Sequence, residues 1–230
     1  MSELIGVGVG PGDPELLTLR AVRILRGADR VLAPSSAVDA VGRAESIVRQ
    51  ACPEVQVERL AFEMGRADDS VHEAAAVVVG GLDAGQRLAF VTLGDPNVYS
   101  TFSTLAARVR ELRPDARIRT VPGIMAFQEL ASRSGTVVVQ NTERLALVTA
   151  LDGPDDLAGA LEDPGQAVVI YKGGRHLAAM AKRLAEAGRL DGAVVGELLG
   201  LPGERIVDVA AAGDGPAAYL ATMIVPPSPR

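Results

Sequence analysis

Residues 4–33 constrain the fold more than any other segment, because they predict a strand, a glycine turn, a helix and a second strand in that order. Residues 4–10 (LIGVGVG) are typical of a buried strand that runs into a turn. Asp13, followed by proline, predicts the start of a helix over 15–26, where apolar residues recur at helical spacing. A second strand is predicted at 30–33. Consecutive strands joined through a helix lie parallel, so this order predicts an α/β fold with a parallel sheet.

The rest of the chain predicts two domains. Strands and helices alternate up to residue 120, and the chain crosses over at 121–123 (VPG). The closing strands, 205–209 and 219–225, are separated by a turn rich in Gly and Pro, which predicts that they pair antiparallel. We therefore expect an N-terminal α/β domain over 1–120 with a mostly parallel sheet, and a C-terminal α/β domain over 121–230 with a mixed sheet.

Composition disfavours several classes of function. The 230 residues include 23 Lys and Arg against 29 Asp and Glu, and the formal charge of −6 argues against general nucleic-acid binding. No apolar run approaches the roughly 20 residues of a membrane span, and the first three residues (MSE) lack a signal pattern. The single cysteine, Cys52, excludes an internal disulfide framework and is typical of a reducing cytoplasm. Cys52, His72 and His176 are too widely spaced to predict a metal site. We expect a cytoplasmic protein without a metal, a nucleic-acid partner or a membrane anchor.

The glycine turn over 6–13 departs from the dinucleotide fingerprint Gly-x-Gly-x-x-Gly. Counted from Gly6, the third glycine falls on Pro11, and counted from Gly8 it falls on Asp13. The Asp13 carboxylate would also lie where a pyrophosphate needs backbone amides and the positive end of a helix. The turn therefore permits close approach of a ligand but argues against NAD or FAD.

A second unusual turn, 92–101 (TLGDPNVYST), follows the most apolar strand of the first half. In an open α/β sheet, ligands bind beyond the carboxyl ends of the strands. Gly94 permits backbone contact there, and the Asp95 carboxylate can face a cation. The alternative is an ordinary turn in which Asp-Pro starts a helix. Two such turns, each with Gly and Asp, predict a site for a small ligand that lacks phosphate and can carry positive charge.

Three motifs together resemble those of one family. Residues 8–18 (GVGPGDPELLT), 94–100 (GDPNVYS) and 121–124 (VPGI) are similar, in order and spacing, to the motifs of the tetrapyrrole (corrin/porphyrin) methylases, which use S-adenosylmethionine. The resemblance covers essentially the whole chain. Within the family, further stretches resemble the precorrin-2 C-20 methyltransferases, namely 93–103, 143–150, 171–176, 202–206 and 219–225.

The resemblance implies two α/β domains with S-adenosylmethionine in the cleft between them, and a homodimer. The N-terminal domain is then expected to form the tetrapyrrole side of the cleft, and the C-terminal domain to supply most adenosine contacts. The implied reaction is methylation of C-20 of precorrin-2 to precorrin-3A in cobalamin biosynthesis. Three alternatives stay open. The chain could act on cobalt-factor II or methylate another ring position, it could be a non-catalytic ligand-binding module, or it could be a nicotinamide oxidoreductase, which Pro11 and Asp13 disfavour.

The resemblance also implies which positions contact the cofactor. They are Pro11, Gly94, Asp95, Val98, Ser100, Thr101, Met125, Ala126, Tyr171, Lys172, Leu199, Ala221 and Thr222. Met125 and Ala126 stand where small hydroxyl residues are common in the family, and Leu199 stands where the family often has a small residue. No catalytic residue is identified. Asp95 and Tyr99 are candidates for positioning, and we expect Asp95 to lie close to the cationic end of the cofactor.

The tetrapyrrole carries many carboxylates, so arginines are expected to line the site that receives it. The candidates are Arg20, Arg133, Arg144 and Arg175, together with Lys172, and Arg175 is the first choice because it follows closely on the strand end at 171–172. For any one of them, solvated surface charge is the competing interpretation.

Overall fold

The computed structural model describes residues 2–35, 41–62, 67–213 and 215–228. The chain divides into two compact units, Met1–Met125 and Ala126–Arg230. Each unit is built around one five-stranded sheet. No helix in these described ranges is long and apolar enough to cross a membrane.

The first unit has a sheet in which every pairing is parallel, in the order β3-β2-β4-β1-β5. Its strands are β1 (Glu3–Gly8), β2 (Arg30–Ser35), β3 (Val57–Ala61), β4 (Arg87–Thr92) and β5 (Ile118–Val121). Its helices are α1 (Leu19–Gly27), α2 (Arg43–Ala51), α3 (Ala67–Asp83) and α4 (Thr101–Leu112). The predicted parallel α/β sheet is confirmed.

Both faces of this sheet are covered, as its apolar strands require. Successive residues of β1 point to opposite faces, so Leu4 packs with Phe90 and Phe102 in one cluster while Ile5 packs with Ile47 in another. At Gly6, an added Cβ would lie 2.5 Å from the Phe102 ring. The missing side chain at Gly6 therefore lets α4 approach β1.

The start of α1 corrects the sequence prediction of one helix over 15–26. Asp13 caps a short 3-10 helix, Pro14–Leu16, and its Oδ1 accepts the Glu15 N–H at 2.8 Å. α1 begins later, where Thr18 is the N-cap and its Oγ1 accepts the Ala21 N–H at 3.1 Å. A second capping hydroxyl within a few residues thus moves the helix start by one turn.

The second unit has a mixed sheet in the order β6-β7-β10-β8-β9, as predicted. Its strands are β6 (Arg144–Thr149), β7 (Gln166–Tyr171), β8 (Val194–Glu197), β9 (Arg205–Asp208) and β10 (Thr222–Val225). Its α-helices are α5 (Ala126–Ser134) and α6 (Leu177–Glu186). β6 and β7 are parallel, and the other pairings are antiparallel.

The predicted pairing of the last two strands is wrong, because β10 lies between β7 and β8 while β9 pairs with β8. Every residue of β10 is buried, and a buried strand needs neighbours on both sides to satisfy its backbone. The partly exposed β9 takes the edge position instead.

Candidate functional site

Three glycines bring the turns of the first unit into backbone contact beyond the carboxyl ends of β1, β4 and β5. A Cβ on Gly8 would lie 2.6 Å from the Gly123 nitrogen and closer still to the Gly94 carbonyl oxygen. Gly94 N–H donates to the Gly10 carbonyl at 2.9 Å. Real Cβ atoms do not come this close to backbone, so Gly8 and Gly123 are required by packing.

Gly10 and Gly94 also need glycine for their backbone angles. Their φ values are +82° and +60°, in the left-handed region where other residues are strained. The two glycine-containing turns predicted from the sequence are therefore brought together beyond the carboxyl ends of the strands. Glycine is needed in these turns because of its backbone angles and because the backbones of neighbouring turns lie so close together.

Asp95 joins the second turn to the turn at 121–123. Its Oδ1 accepts the Asn97 N–H at 2.8 Å, and its Oδ2 accepts the Gly123 N–H at 3.2 Å. The residue is half-buried. Both carboxylate oxygens thus hold backbone amides, so Asp95 fixes the relative position of two turns.

The serine and threonine hydroxyls around this turn are used partly for capping. Ser100 is the N-cap of α4, and its Oγ accepts the Phe102 N–H at 3.1 Å. Thr92 Oγ1 and Ser100 Oγ form a buried hydrogen bond of 2.9 Å. Thr101 is half-buried at the first position of the helix, and Tyr99 is exposed with φ +47°.

The remaining predicted cofactor positions of the first unit are Pro11, Val98 and Met125, all half-buried. The Met125 Cα lies 3.9 Å from where a Cβ on Gly94 would be, so Met125 adjoins the second turn. Ala126 begins α5 and belongs to the second unit.

In the second unit, the sheet register brings several predicted cofactor positions together. Thr222 pairs with Tyr171 on β7 and with Gly196 on β8. Lys172 directly follows Tyr171, and Ala221 directly precedes Thr222. Leu199 follows the end of β8, and its Cδ2 would lie 2.8 Å from a Cβ on Gly196. These positions form one group on the described part of the second unit.

The Thr222 side chain is a fully buried polar group of this set, and its Oγ1 has no hydrogen-bond partner among the described residues. Burying a hydroxyl without a partner costs about 1–3 kcal/mol. A ligand with a polar group at this position would remove that cost, which fits the hydroxyl-rich and nitrogen-rich adenosine of S-adenosylmethionine.

Left-handed backbone at residues other than glycine also concentrates at the predicted positions. In the described part of the chain these residues are Tyr99, Asn141, Lys172 and Leu198. Lys172 is itself a predicted cofactor position, Leu198 precedes another, and Tyr99 is a predicted positioning residue. Such strain persists only where the surroundings impose it, and it clusters at functional sites.

Sequence reasoning missed two carboxylates that hold the turns of the second unit. Glu197 Oε2 accepts the Ala218 N–H at 2.7 Å, and its Oε1 pairs with Arg205 at 3.0 Å. Glu204 Oε2 accepts the Gly200 N–H at 2.7 Å. The contacts that hold the turns are made to backbone amides, so the sequence signal for them is an acidic residue close to a glycine turn.

The predicted substrate arginines lie in both units. Arg20 is in the first unit, and the other three are in the second. Arg20 is exposed in the first turn of α1 and has no ion pair with any described residue. Arg144 pairs with Asp163 at 3.3 Å. Arg175 donates to the Leu151 carbonyl and, from Nε, to His176 at 3.1 Å.

Arg133, the fourth of these arginines, lies on α5 between two carboxylates, Glu129 and Glu204.

Among the described residues, no group of three or more His, Cys, Asp and Glu side chains is placed to hold a metal ion.

A unit with a parallel sheet, followed by a unit with a mixed sheet, defines an α/β protein of two units. The sequence model of the Tetrapyrrole (Corrin/Porphyrin) Methylases matches residues 3–212. The chain belongs to this family.

Two relatives have the same level of identity. The precorrin-2 C(20)-methyltransferase of Sinorhizobium sp is 32% identical over 98% of this chain and 96% of its own length. The cobalt-precorrin-2 C(20)-methyltransferase of Salmonella typhimurium is 32% identical over 88% of this chain and 86% of its own length.

A solved structure confirms the fold class. The uroporphyrin-III C-methyl transferase of Thermus thermophilus, complexed with S-adenyl homocysteine, superimposes with a TM-score of 0.70 over 97% of both chains. Its identity with this chain is 22%, which establishes a shared fold.

Proposed function

We propose that this protein transfers the methyl group of S-adenosylmethionine to C-20 of precorrin-2, giving precorrin-3A in cobalamin biosynthesis. The observation that carries the proposal is the 32% identity with a precorrin-2 C(20)-methyltransferase over nearly the full length of both chains. The glycine turns that this chain needs for packing are also the motifs that resemble the family.

We propose two sets of residues that hold S-adenosylmethionine, one in each unit. The first consists of Pro11, Gly94, Asp95, Val98, Ser100, Thr101 and Met125. The second consists of Ala126, Tyr171, Lys172, Leu199, Ala221 and Thr222. The unpartnered hydroxyl of Thr222 supports the second set, and the bound S-adenyl homocysteine of the Thermus thermophilus enzyme supports the choice of cofactor. The placement of the cofactor between the domains, with tetrapyrrole on the N-terminal side and most adenosine contacts from the C-terminal side, stays a prediction.

In the proposed methyl transfer, the role of the protein is to position the cofactor and the tetrapyrrole. When bound, the cofactor supplies an electrophilic methyl group on a sulfonium. The ring nitrogens of the tetrapyrrole make its bridging carbon electron-rich, so the chain does not need to activate a nucleophile. Its residues must hold the carbon and the methyl group in line at about 3–3.5 Å and exclude water.

Asp95 is proposed to contribute to binding more than to the chemical step. A carboxylate beside the sulfonium stabilises the reactant, whose positive charge is lost in the transition state. Its two hydrogen bonds to backbone amides add a second contribution, because they fix the turns that contact the cofactor. The proton released from the substrate carbon can leave to solvent, so the proposal requires no general base.

Of the arginines, Arg20 is best suited to a substrate carboxylate, because its charge is not neutralised by any described residue. Arg175 is the second candidate, since its described partners, a carbonyl and a histidine ring, leave its positive charge in place. Arg144 has a carboxylate partner already, and Arg133 has two.

A cobalt-containing substrate is the second candidate, because the cobalt-precorrin-2 C(20)-methyltransferase of Salmonella typhimurium is equally identical to this chain. Methyl transfer to another ring position and a non-catalytic ligand-binding role remain weaker alternatives.

We further propose that the protein works in the cytoplasm, which its single buried cysteine supports. We also propose that it forms a homodimer, which light scattering would test.

One assay tests the reaction. The protein is incubated with methyl-labelled S-adenosylmethionine and either precorrin-2 or its cobalt-containing form, and NMR locates the label in the product. We expect label at C-20 with the metal-free substrate. Label at another carbon contradicts the ring position, turnover of the cobalt form alone supports the second candidate, and binding without turnover supports the non-catalytic role.

A further inference from the structure

We infer that Arg133 and Glu204 form a positioning pair that fixes the turn over 198–204 and, through it, the residue Leu199. The inference rests on the proposed function, since Leu199 is proposed to contact the cofactor. It also gives Arg133 a different role from the substrate binding predicted from the sequence.

The Glu204 side chain connects the backbone of the turn over 198–204 to Arg133. One of its carboxylate oxygens, Oε2, accepts the Gly200 N–H at 2.7 Å, and the other, Oε1, accepts a hydrogen bond from Arg133. The Glu204 side chain is 21% exposed, so its contact with the Gly200 amide is partly shielded from water, while the Arg133 side chain is 46% exposed. A carboxylate held at both oxygens has one orientation, and the Gly200 amide is fixed with it.

Arg133 ties this carboxylate to α5. The same guanidinium that contacts Glu204 also pairs with Glu129 at 3.4 Å, and the Glu129 side chain is 10% exposed. Two carboxylates around one guanidinium leave a negative local charge, which repels a carboxylate of the substrate. Arg133 is therefore suited to holding the turn, and poorly suited to binding an anion.

The turn needs such support because its backbone is strained. Leu198 has φ +50°, which costs a residue other than glycine about 1–2 kcal/mol. Gly200 and Gly203 are also left-handed, at +70° and +87°. Leu199 is buried against a cluster that includes Leu130 of α5. A strained turn keeps its conformation only when its surroundings impose it, and Glu204 supplies the contact at the centre.

The experiment measures two properties of purified full-length protein. Calorimetry gives the dissociation constant for S-adenosylhomocysteine, and hydrogen exchange without ligand gives the protection of the 198–204 amides. The variants are Arg133→Ala, Arg133→Lys, Glu204→Ala and the double alanine variant. Lys182→Ala is the matched control, since it removes an exposed ion pair with Glu186 on α6.

We expect Glu204→Ala to weaken S-adenosylhomocysteine binding about tenfold, because it removes the acceptor of the Gly200 amide. Arg133→Ala should weaken it about threefold, because the Arg133 side chain is half exposed. Exchange at 198–204 should rise in both. The double variant should resemble Glu204→Ala alone, because the two residues act through one contact. Arg133→Lys keeps a cation beside Glu204 but loses the planar guanidinium that contacts both carboxylates, so it should lose less affinity than Arg133→Ala without matching wild type. The control should match wild type in both measurements.

Unchanged affinity and unchanged exchange in Arg133→Ala would overturn the inference. So would a variant that binds S-adenosylhomocysteine normally but has a raised KM for the tetrapyrrole, because that result assigns Arg133 to the substrate. Should the alanine variant fail to fold, Arg133→Gln keeps a hydrogen-bond donor without the charge and is expected to show an intermediate loss. If wild-type protein itself does not bind S-adenosylhomocysteine, it is the proposed function that fails.

Discussion

Asp95 shows how one side chain serves both the fold and the proposed site. Its carboxylate accepts two backbone amides, from Asn97 in its own turn and from Gly123 in the turn after β5. Removing the acceptor leaves the Gly123 amide without a partner at a part-buried position, while water can reach the exposed Asn97 amide. A change at this residue therefore moves two turns at once.

We predict that Asp95→Ala weakens S-adenosylhomocysteine binding about tenfold, because losing an acceptor from a partly buried contact costs about 1–3 kcal/mol. Asp95→Asn keeps one oxygen and should show a smaller loss. Calorimetry measures both. Glu73→Ala removes an exposed carboxylate from α3 of the same unit and serves as the control. Unchanged affinity in Asp95→Ala would remove the residue from the binding site.

Glu45 provides a pH-dependent contribution to stability. Its side chain is fully buried between Arg59, at 2.7 Å, and Arg49, at 2.6 Å. The hydrogen bond from Arg59 is the main cause that holds the pKa of this carboxyl below its ordinary value of 4.5, against the opposing effect of burial. A lowered pKa in the folded state stabilises the protein above about pH 4.5. That stability is lost as the pH falls through the folded-state pKa.

We predict that Glu45→Gln lowers the free energy of unfolding by about 2 kcal/mol at pH 7. The difference from wild type should shrink below pH 4.5, where the wild-type carboxyl takes up its proton. Urea unfolding at a series of pH values measures it, with the exposed Glu73→Gln as control. A difference that stays constant down to pH 3 would contradict the role assigned to the charge.

At the scale of the elements, the edge of the first sheet depends on the contact between the turns after β1, β4 and β5. This contact leaves no room for a methyl group at Gly8, whose added Cβ would meet the backbone of Gly94 and Gly123. Backbone cannot rotate out of the way as a flexible side chain can. The three turns would have to separate.

We predict that Gly8→Ala destabilises the protein by about 2–3 kcal/mol and weakens S-adenosylhomocysteine binding. Gly80→Ala is the matched control, because a Cβ at this position of α3 has no neighbour within 4 Å. The control should raise stability by about 0.5–1 kcal/mol through its helix propensity. Thermal unfolding distinguishes the two. Equal effects of both substitutions would show that the turns are not packed as described.

The elements also show which parts of the fold the sequence could predict. β1, α1 and β2 are adjacent in the chain, and their order alone predicted a parallel sheet. The start of α1 could not be predicted, since Asp13 and Thr18 are both good caps and the choice depends on packing. The pairing of β10 was also missed, because burial of both sides of that strand depends on the whole sheet.

At the scale of the whole molecule, the residues of the candidate site also fall into those that the sequence could predict and those that only the structure shows. Gly94 and Asp95 could be found from the sequence, because a turn after an apolar strand of an α/β sheet indicates a ligand position. Thr222 was found only through resemblance, and its unpartnered hydroxyl becomes visible only in three dimensions. Glu197 and Glu204 were missed, since their roles depend on amides that the fold brings to them.

The central position of β10 has a consequence for protein synthesis. Translation produces β6 to β9 before β10, so the nascent second unit has a gap between β7 and β8. Until the last strand leaves the ribosome, two apolar strands carry unpaired edges that can recruit another chain. The first unit has all five of its strands much earlier in synthesis. The second unit is therefore the part of this protein whose strand edges stay unpaired longest during synthesis.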